Sequence, residues 1–227
     1  MNHPEFSIYR DDISRLAMYG LTFEKTWQVT DHFERTVADF FGAPYAVATD
    51  CCTHALELCL RLINQIQPVT VPKYTYMSVP MMLEKLSIPW ALNDELWEKF
   101  YHVVPGRIID AATLWEPNSY VPGTMMTVSF QFKKHIPIGR GGIILLDNFD
   151  DYQRLQRISQ DGKNRKLTQF EDNVSELGYH YYMTPEDAAR GIELFIHLKD
   201  KPAKAWSYRD YRDLTEMDFF KGKAIVK

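Results

Sequence analysis

Apolar positions fall at helical spacing at Phe33, Val37, Phe40 and Phe41. Thr30 is the predicted N-cap of that helix and Gly42 its stop. Residues 45–49 form a short apolar run, predicted as a strand. Residues 53–63 place Ala55, Leu56, Cys59, Leu60 and Ile63 on one helical face. Short strands are predicted over 69–71, 88–92 and 107–109, and a helix over 80–86. The clearest strand patterns are 127–130 and 142–146. Asn148 is the predicted cap of a helix over 149–160 that ends at Asp161-Gly162. Thr184-Pro185-Glu186-Asp187 opens another helix, with a capping hydroxyl, proline at the first helical position and acids in the first turn. Strands alternating with helices predict an α/β fold, a mostly parallel, mixed sheet flanked by helices. Residues 161–176 are polar and predicted to be a mobile loop. Residues 1–200 are read as one domain and 201–227 as a charged, aromatic C-terminal tail without period.

Composition narrows the class. At 227 residues with 45% hydrophobic content the chain can build one large core. A net charge of −4 argues against nucleic acid as a partner, and no apolar run is long enough for a membrane span. The N-terminus shows no secretory pattern, and Cys51, Cys52 and Cys59 are an odd, crowded set that does not make a disulfide framework. The expected location is therefore the reducing cytoplasm. The histidines are scattered and no Cys-x-x-Cys pair exists, so no metal site is expected.

Candidate chemistry centres on Ser129 to Gly142, with Asp110 upstream. A pyridoxal phosphate site needs a lysine for the cofactor aldehyde, a carboxylate for its ring nitrogen, an aromatic cover and backbone donors for its phosphate. Lys134 and Asp110 are candidates for the first two. Tyr76, or alternatively Tyr74, is the candidate cover. The turn Asp50-Cys51-Cys52-Thr53 enters a helix straight after a strand and could hold phosphate, with Ser129 adding a bond. Pattern alone leaves simpler readings open: Lys134 as a solvated loop lysine, Asp110 as a turn residue or cap, the tyrosines as core aromatics, and Cys52 as a small buried residue.

The order of motifs resembles the nucleotide-sugar aminotransferases of the DegT/StrS type, which are fold type I pyridoxal phosphate enzymes. Their Phe-Glu is here Phe33-Glu34, and their Gly-x-x-Tyr-Ala-Val is Gly42 to Val47. Asn-Gly-Thr-x-Ala-Leu is Cys51 to Leu56, and Pro-x-Phe-Thr-Phe is Pro72 to Tyr76. Glu-Asp-Ala-Ala-Gln corresponds to Ile109-Asp110-Ala111-Ala112-Thr113. The lysine motif runs from Ser129 to Gly142, and because Ser129 and Gly139 bracket it, the lysine is Lys134 rather than Lys133. Gly-x-Asn-x-Arg-Met-Thr is Gly178 to Thr184. The match is colinear over about residues 30–200.

The resemblance implies an aspartate-aminotransferase-like large domain. In it Lys134 would hold the cofactor and move a proton, Asp110 would pair with the pyridine nitrogen and Tyr76 would stack. Cys52, Thr53 and Ser129 would bind phosphate. Thr113 would lie near the ring hydroxyl, and His180 would reach the phosphate of the neighbouring subunit of a homodimer. The implied reaction is amino transfer from an amino acid, glutamate by family likeness, to a keto-sugar linked to a nucleotide. The departures are Cys51-Cys52 for Asn-Gly, Thr113 for Gln, Arg140 for Glu, His180 for Asn and Tyr182 for Arg. The stretch from Asn93 to Ile108 is shorter than in the family, and the C-terminal small domain is not expected. These departures keep a second reading open, a catalytically degenerate dimeric sugar-binding or scaffold protein of the same fold.

Overall fold

The computed structural model describes residues 10–222 and 225–226. A short helix α1 (Asp11–Arg15) and a 3-10 turn precede α2 (Thr26–Phe41). Helix α2 turns Val29, Phe33, Val37 and Phe41 inward at i, i+4 spacing, and Gly42 closes it in the left-handed region at φ 76°. Its start lies four residues before the expected cap. The Gln28 side chain reaches back to the Lys25 N–H at 2.8 Å, and Thr30 is buried inside the helix.

Strand β1 (Tyr45–Thr49) leads into α3 (Cys52–Leu62), then β2 (Val69–Pro72), α4 (Ser78–Lys85) and β3 (Trp90–Asn93). Next come β4 (Tyr101–Val104), β5 (Ile108–Asp110), β6 (Met125–Ser129) and β7 (Gly142–Leu146). Helices α5 (Phe149–Ile158) and α6 (Pro185–Leu198) follow, capped by Asn148 and Thr184 as expected. The tail carries three 3-10 turns and a strand β8 (Ile225–Val226).

The larger sheet has the order β1-β7-β6-β5-β4, and a smaller one the order β2-β3-β8. The expected mixed sheet flanked by helices is present, with less parallel pairing than the strand–helix alternation implied. β5–β6 and both pairs of the small sheet are parallel, while β7 runs antiparallel to β1 and to β6 and β4 antiparallel to β5. The β6-to-β7 excursion, which carries Lys134, contains no crossover helix, so β7 returns beside β6 in the opposite sense.

Both faces of the sheet are covered, which is why β6 and β7 are buried at every position. Ala46, Ala48, Ile143 and Leu145 pack toward α1, α2 and α6. Val47, Ile144 and Leu146, one residue out of phase, pack toward α3, α4 and α5. The topology places the C-terminal ends of β1, β5 and β6 and the start of β7 at one end of the sheet. There Ser129 and Thr49 both pair with Gly142. Open α/β sheets bind ligands at such an end.

The polar stretch 161–176, expected to be a mobile loop, is without helix or strand but is fastened to the domain. Arg165 pairs with Glu34 at 2.5 Å and with Asp31 on α2. The tail is packed as well, with Leu214 and Phe220 each 1% exposed in the same core as α3 and α4.

Candidate active site

A cavity of about 680 Å³ opens at this sheet end. Asp110, the last residue of β5, and Lys134, in the turn after β6, both line it. So do Ser129 at the end of β6, Cys52 and Thr53 at the start of α3, and Tyr76 and Thr113. Tyr76 is 56% exposed on the wall. Tyr74 is not in the lining; its ring lies beside Tyr208 and its carbonyl accepts from the Trp97 indole at 2.7 Å. His180 lies outside the cavity and is exposed, bound to Asp161 at 3.0 Å.

Burial of Asp110 is balanced by specific bonds. Its Oδ2 accepts from the Tyr101 hydroxyl at 2.6 Å, and its Oδ1 from the Ala112 N–H at 3.0 Å. Tyr101 is in turn 2.6 Å from the Thr75 hydroxyl. The register explains the first bond, because antiparallel pairing sets Tyr101 opposite Asp110. Burial pushes the Asp110 carboxyl up, and Tyr101, Ala112 and the nearby Lys134 charge oppose that. A cation at its free lone pairs would favour the ionised form. Lys134 shows the complementary effect: burial lowers its pKa, against the pull of Cys52 and Asp110. A lysine shifted toward its neutral amine is one prepared to attack an aldehyde.

The turn into α3 offers donors. The helix ladder begins with the Ala55 N–H on the Cys51 carbonyl, and the His54 N–H goes to Cys51 Sγ at 3.4 Å. The Cys52 and Thr53 N–H groups are left at the helix N-terminus without a backbone partner among the described residues. The Thr53 hydroxyl lies 2.7 Å from that of Ser78. Burial pushes the Cys52 thiol well up, with the Asp110 charge adding to it, so Cys52 is a neutral thiol. A backbone-only contact also shapes this corner, since a Cβ at Gly142 would stand 2.5 Å from the Cys52 nitrogen. At the rim, Asp50 holds both His54, at 2.6 Å, and Arg140, at 2.8 Å. Burial opposes the His54 charge, but bonds to Asp50 and Cys51 outweigh it and raise its pKa to about 9. Asp50, Cys51 and His54 are close enough to share an ion, although the Arg140 pair already satisfies Asp50.

Sequence reasoning missed Tyr101 and the contribution of the tail. Trp206, Tyr211 and Lys204 line the cavity, and Tyr211 is the acceptor of the Lys134 amine at 3.4 Å. The Tyr-His-Val-Val alternation of β4 was an available signal for Tyr101; the tail offered none.

These residues fit pyridoxal phosphate in the chemistry of the donor set. A half-buried amine, a buried carboxylate, a neighbouring helix N-terminus and an exposed aromatic wall converge on one cavity. The Cys52 side chain stands in the turn that would hold the phosphate.

A model of the DegT/DnrJ/EryC1/StrS aminotransferase family matches residues 18–90 and 121–207, more than half of the chain. No curated protein matches. Among solved structures, AtS13 from Actinomadura melliaura is similar at 20% identity with a TM-score of 0.68, covering 84% of this chain and 65% of that one. The sugar aminotransferase CalS13 from Micromonospora echinospora is similar at 16% identity, TM-score 0.64, covering 84% and 66%. The PLP-form of the putative sugar aminotransferase Spr1654 from Streptococcus pneumoniae follows at 16%, TM-score 0.65, covering 83% and 63%. The chain thus spans slightly under two thirds of the length of these structures. Among the described residues no helix is long and apolar enough to cross a membrane.

Proposed function

We propose, from the premise that the chain belongs to the DegT/DnrJ/EryC1/StrS aminotransferase family, that it binds pyridoxal phosphate through Lys134 and moves an amino group from glutamate to a nucleotide-linked keto-sugar. The observation that carries this reading is the convergence of Lys134 and Asp110 on one cavity beside the N-terminus of α3. Pyridoxal phosphate, when bound, supplies the electron sink that amino transfer requires.

The chain's own residues have definable parts. The Lys134 amine, shifted toward its neutral form by burial, would hold the cofactor aldehyde and would move a proton at the substrate carbon. Asp110, fixed by Tyr101 and Ala112, would pair with the ring nitrogen and favour its protonated form. The amides of Cys52 and Thr53, with the Ser129 hydroxyl, hold phosphate. Tyr76 and Thr113, which line the cavity, would cover one face of the ring and stand near its hydroxyl. His180, exposed outside this cavity, is available to a second subunit, in keeping with a shared site in a homodimer.

The alternative, a non-catalytic sugar-binding or scaffold protein of the same fold, is favoured by the Cys52 side chain in the turn that would hold phosphate. Glutamate separates the two. Added to the cofactor-loaded protein, it should discharge the visible band toward the pyridoxamine form and release the corresponding keto acid. A band that persists at saturating glutamate, and equally with other amino acids, supports the scaffold reading.

A further inference from the structure

The C-terminal segment is stitched to Lys73 and to residues 94–99. The Tyr208 N–H donates to the Trp97 carbonyl at 3.1 Å, and the Lys99 N–H to that of Trp206 at 3.4 Å. The Leu214 N–H donates to the Lys73 carbonyl at 3.0 Å, and Lys73 pairs with both Asp94 and Asp213. These bonds bring residues 204–212 across the cavity mouth. There the Lys134 amine lies 4.8 Å from the centre of the Trp206 ring and 3.4 Å from the Tyr211 hydroxyl. Tyr211 is itself wedged between Trp97, at 5.4 Å, and Trp206, at 6.3 Å. On its far side Lys204 stands 3.8 Å over the Trp206 ring and pairs with Asp210.

We propose that Trp206 and Tyr211 are positioning residues of the Lys134 site: the Trp206 ring face holds the amine and the Tyr211 hydroxyl fixes its direction, so that the cofactor cleft is completed by the tail of the same chain. The inference rests on the reading of Lys134 as the cofactor lysine. The groups that set the state of this amine are Cys52 from α3, Asp110 from β5, the adjacent Lys133, and Lys204, Asp210 and Tyr211 from the tail. The tail groups can be changed without touching the machinery assigned above.

The two side chains act on the amine with the same sign. The Trp206 ring face attracts the ammonium at 4.8 Å, and the Tyr211 oxygen accepts from it, so both favour the charged form. The test is the pH dependence of Lys134 methylation by formaldehyde and cyanoborohydride in the cofactor-free protein. It is read by peptide mass spectrometry against the exposed Lys133 in the same peptide. Trp206→Ala should lower the midpoint for Lys134, and a shift of one pH unit raises its relative reactivity at neutral pH about tenfold. Tyr211→Phe, which keeps the ring in its aromatic slot, should also lower the midpoint. Arg209→Ala, in the same segment but outside the cavity, should leave it unchanged.

Downward shifts in both variants, with wild-type melting behaviour in Tyr211→Phe, support the proposal, and an upward shift in either overturns it. Unchanged midpoints, or equal shifts in all three variants, overturn it. A wild type that methylates Lys134 normally yet gives no visible band with pyridoxal phosphate would remove the proposed function. The methylation profile would still decide what the tail does to Lys134.

Discussion

Arg165→Ala is the perturbation whose consequence is best defined. The Arg165 and Glu34 side chains are 8% and 5% exposed and lie 2.5 Å apart, and Arg165 also binds Asp31. Without Arg165, Glu34 keeps only the Ala48 N–H, at 2.8 Å. Removing one member of a buried ion pair costs about 3–5 kcal/mol. Asp31 is 21% exposed at its side chain and can recover water, which points to the lower end. At roughly 2–4 °C per kcal/mol for a chain of this size, a loss of about 3 kcal/mol lowers the melting temperature by about 6–12 °C.

The pH dependence adds a sign. Burial already pushes the Glu34 carboxyl above its ordinary value of 4.5, against Arg165 and Ala48, and loss of Arg165 pushes it further. An acid raised in the folded state stabilises the fold below its unfolded value, and that contribution is lost as pH rises through the folded value. The deficit of Arg165→Ala is therefore largest at neutral pH and shrinks as pH falls toward 4.5. Thermal melts followed by circular dichroism at neutral pH and near pH 5 read both quantities. A loss below about 2 °C at neutral pH, where a surface pair would fall, or a deficit independent of pH, refutes the account of this cluster.

Two further substitutions probe the site directly. Tyr101→Phe strands the buried Asp110 and Thr75 side chains, at a cost of about 1–3 kcal/mol in urea unfolding, and raises the Asp110 carboxyl further. Gly142→Ala drives a Cβ against the Cys52 backbone nitrogen, 2.5 Å away. It should cost about 1–3 kcal/mol by overpacking and weaken pyridoxal phosphate binding in a spectrophotometric titration.

The sheet ends were legible in the sequence because strand patterns and turn residues are local. The runs before Asp110 and Ser129 and the strand that begins at Gly142 stand where they were expected, and Asn148 and Thr184 cap their helices through their own side chains. Thr30 misled because the true start of α2 is held by a side chain reaching backward, Gln28 to Lys25, so the residue at the cap itself carries no signal. The Arg165 anchor was hidden for a different reason. A lone arginine in a polar stretch gives no local sign that it will neutralise a glutamate 131 positions away. The tail combined both difficulties. Trp206, Tyr211, Leu214 and Phe220 follow no helical or strand period, and their partners, Lys134, Trp97 and Lys73, are all distant in sequence. The membership in one colinear family carried the assignment of Lys134; the packing of Tyr101 and Tyr211 around the acid–amine pair came only with the fold.

The central claim is that Lys134 is the group that takes pyridoxal phosphate. The direct measurement is the absorption spectrum of the full chain titrated with pyridoxal phosphate, followed by borohydride reduction and peptide mapping. The account predicts a visible band in the wild type, a phosphopyridoxyl mass on Lys134, and loss of both in a folded Lys134→Ala variant. A wild type without the band, or label found on Lys133 or Lys204 instead, would contradict it.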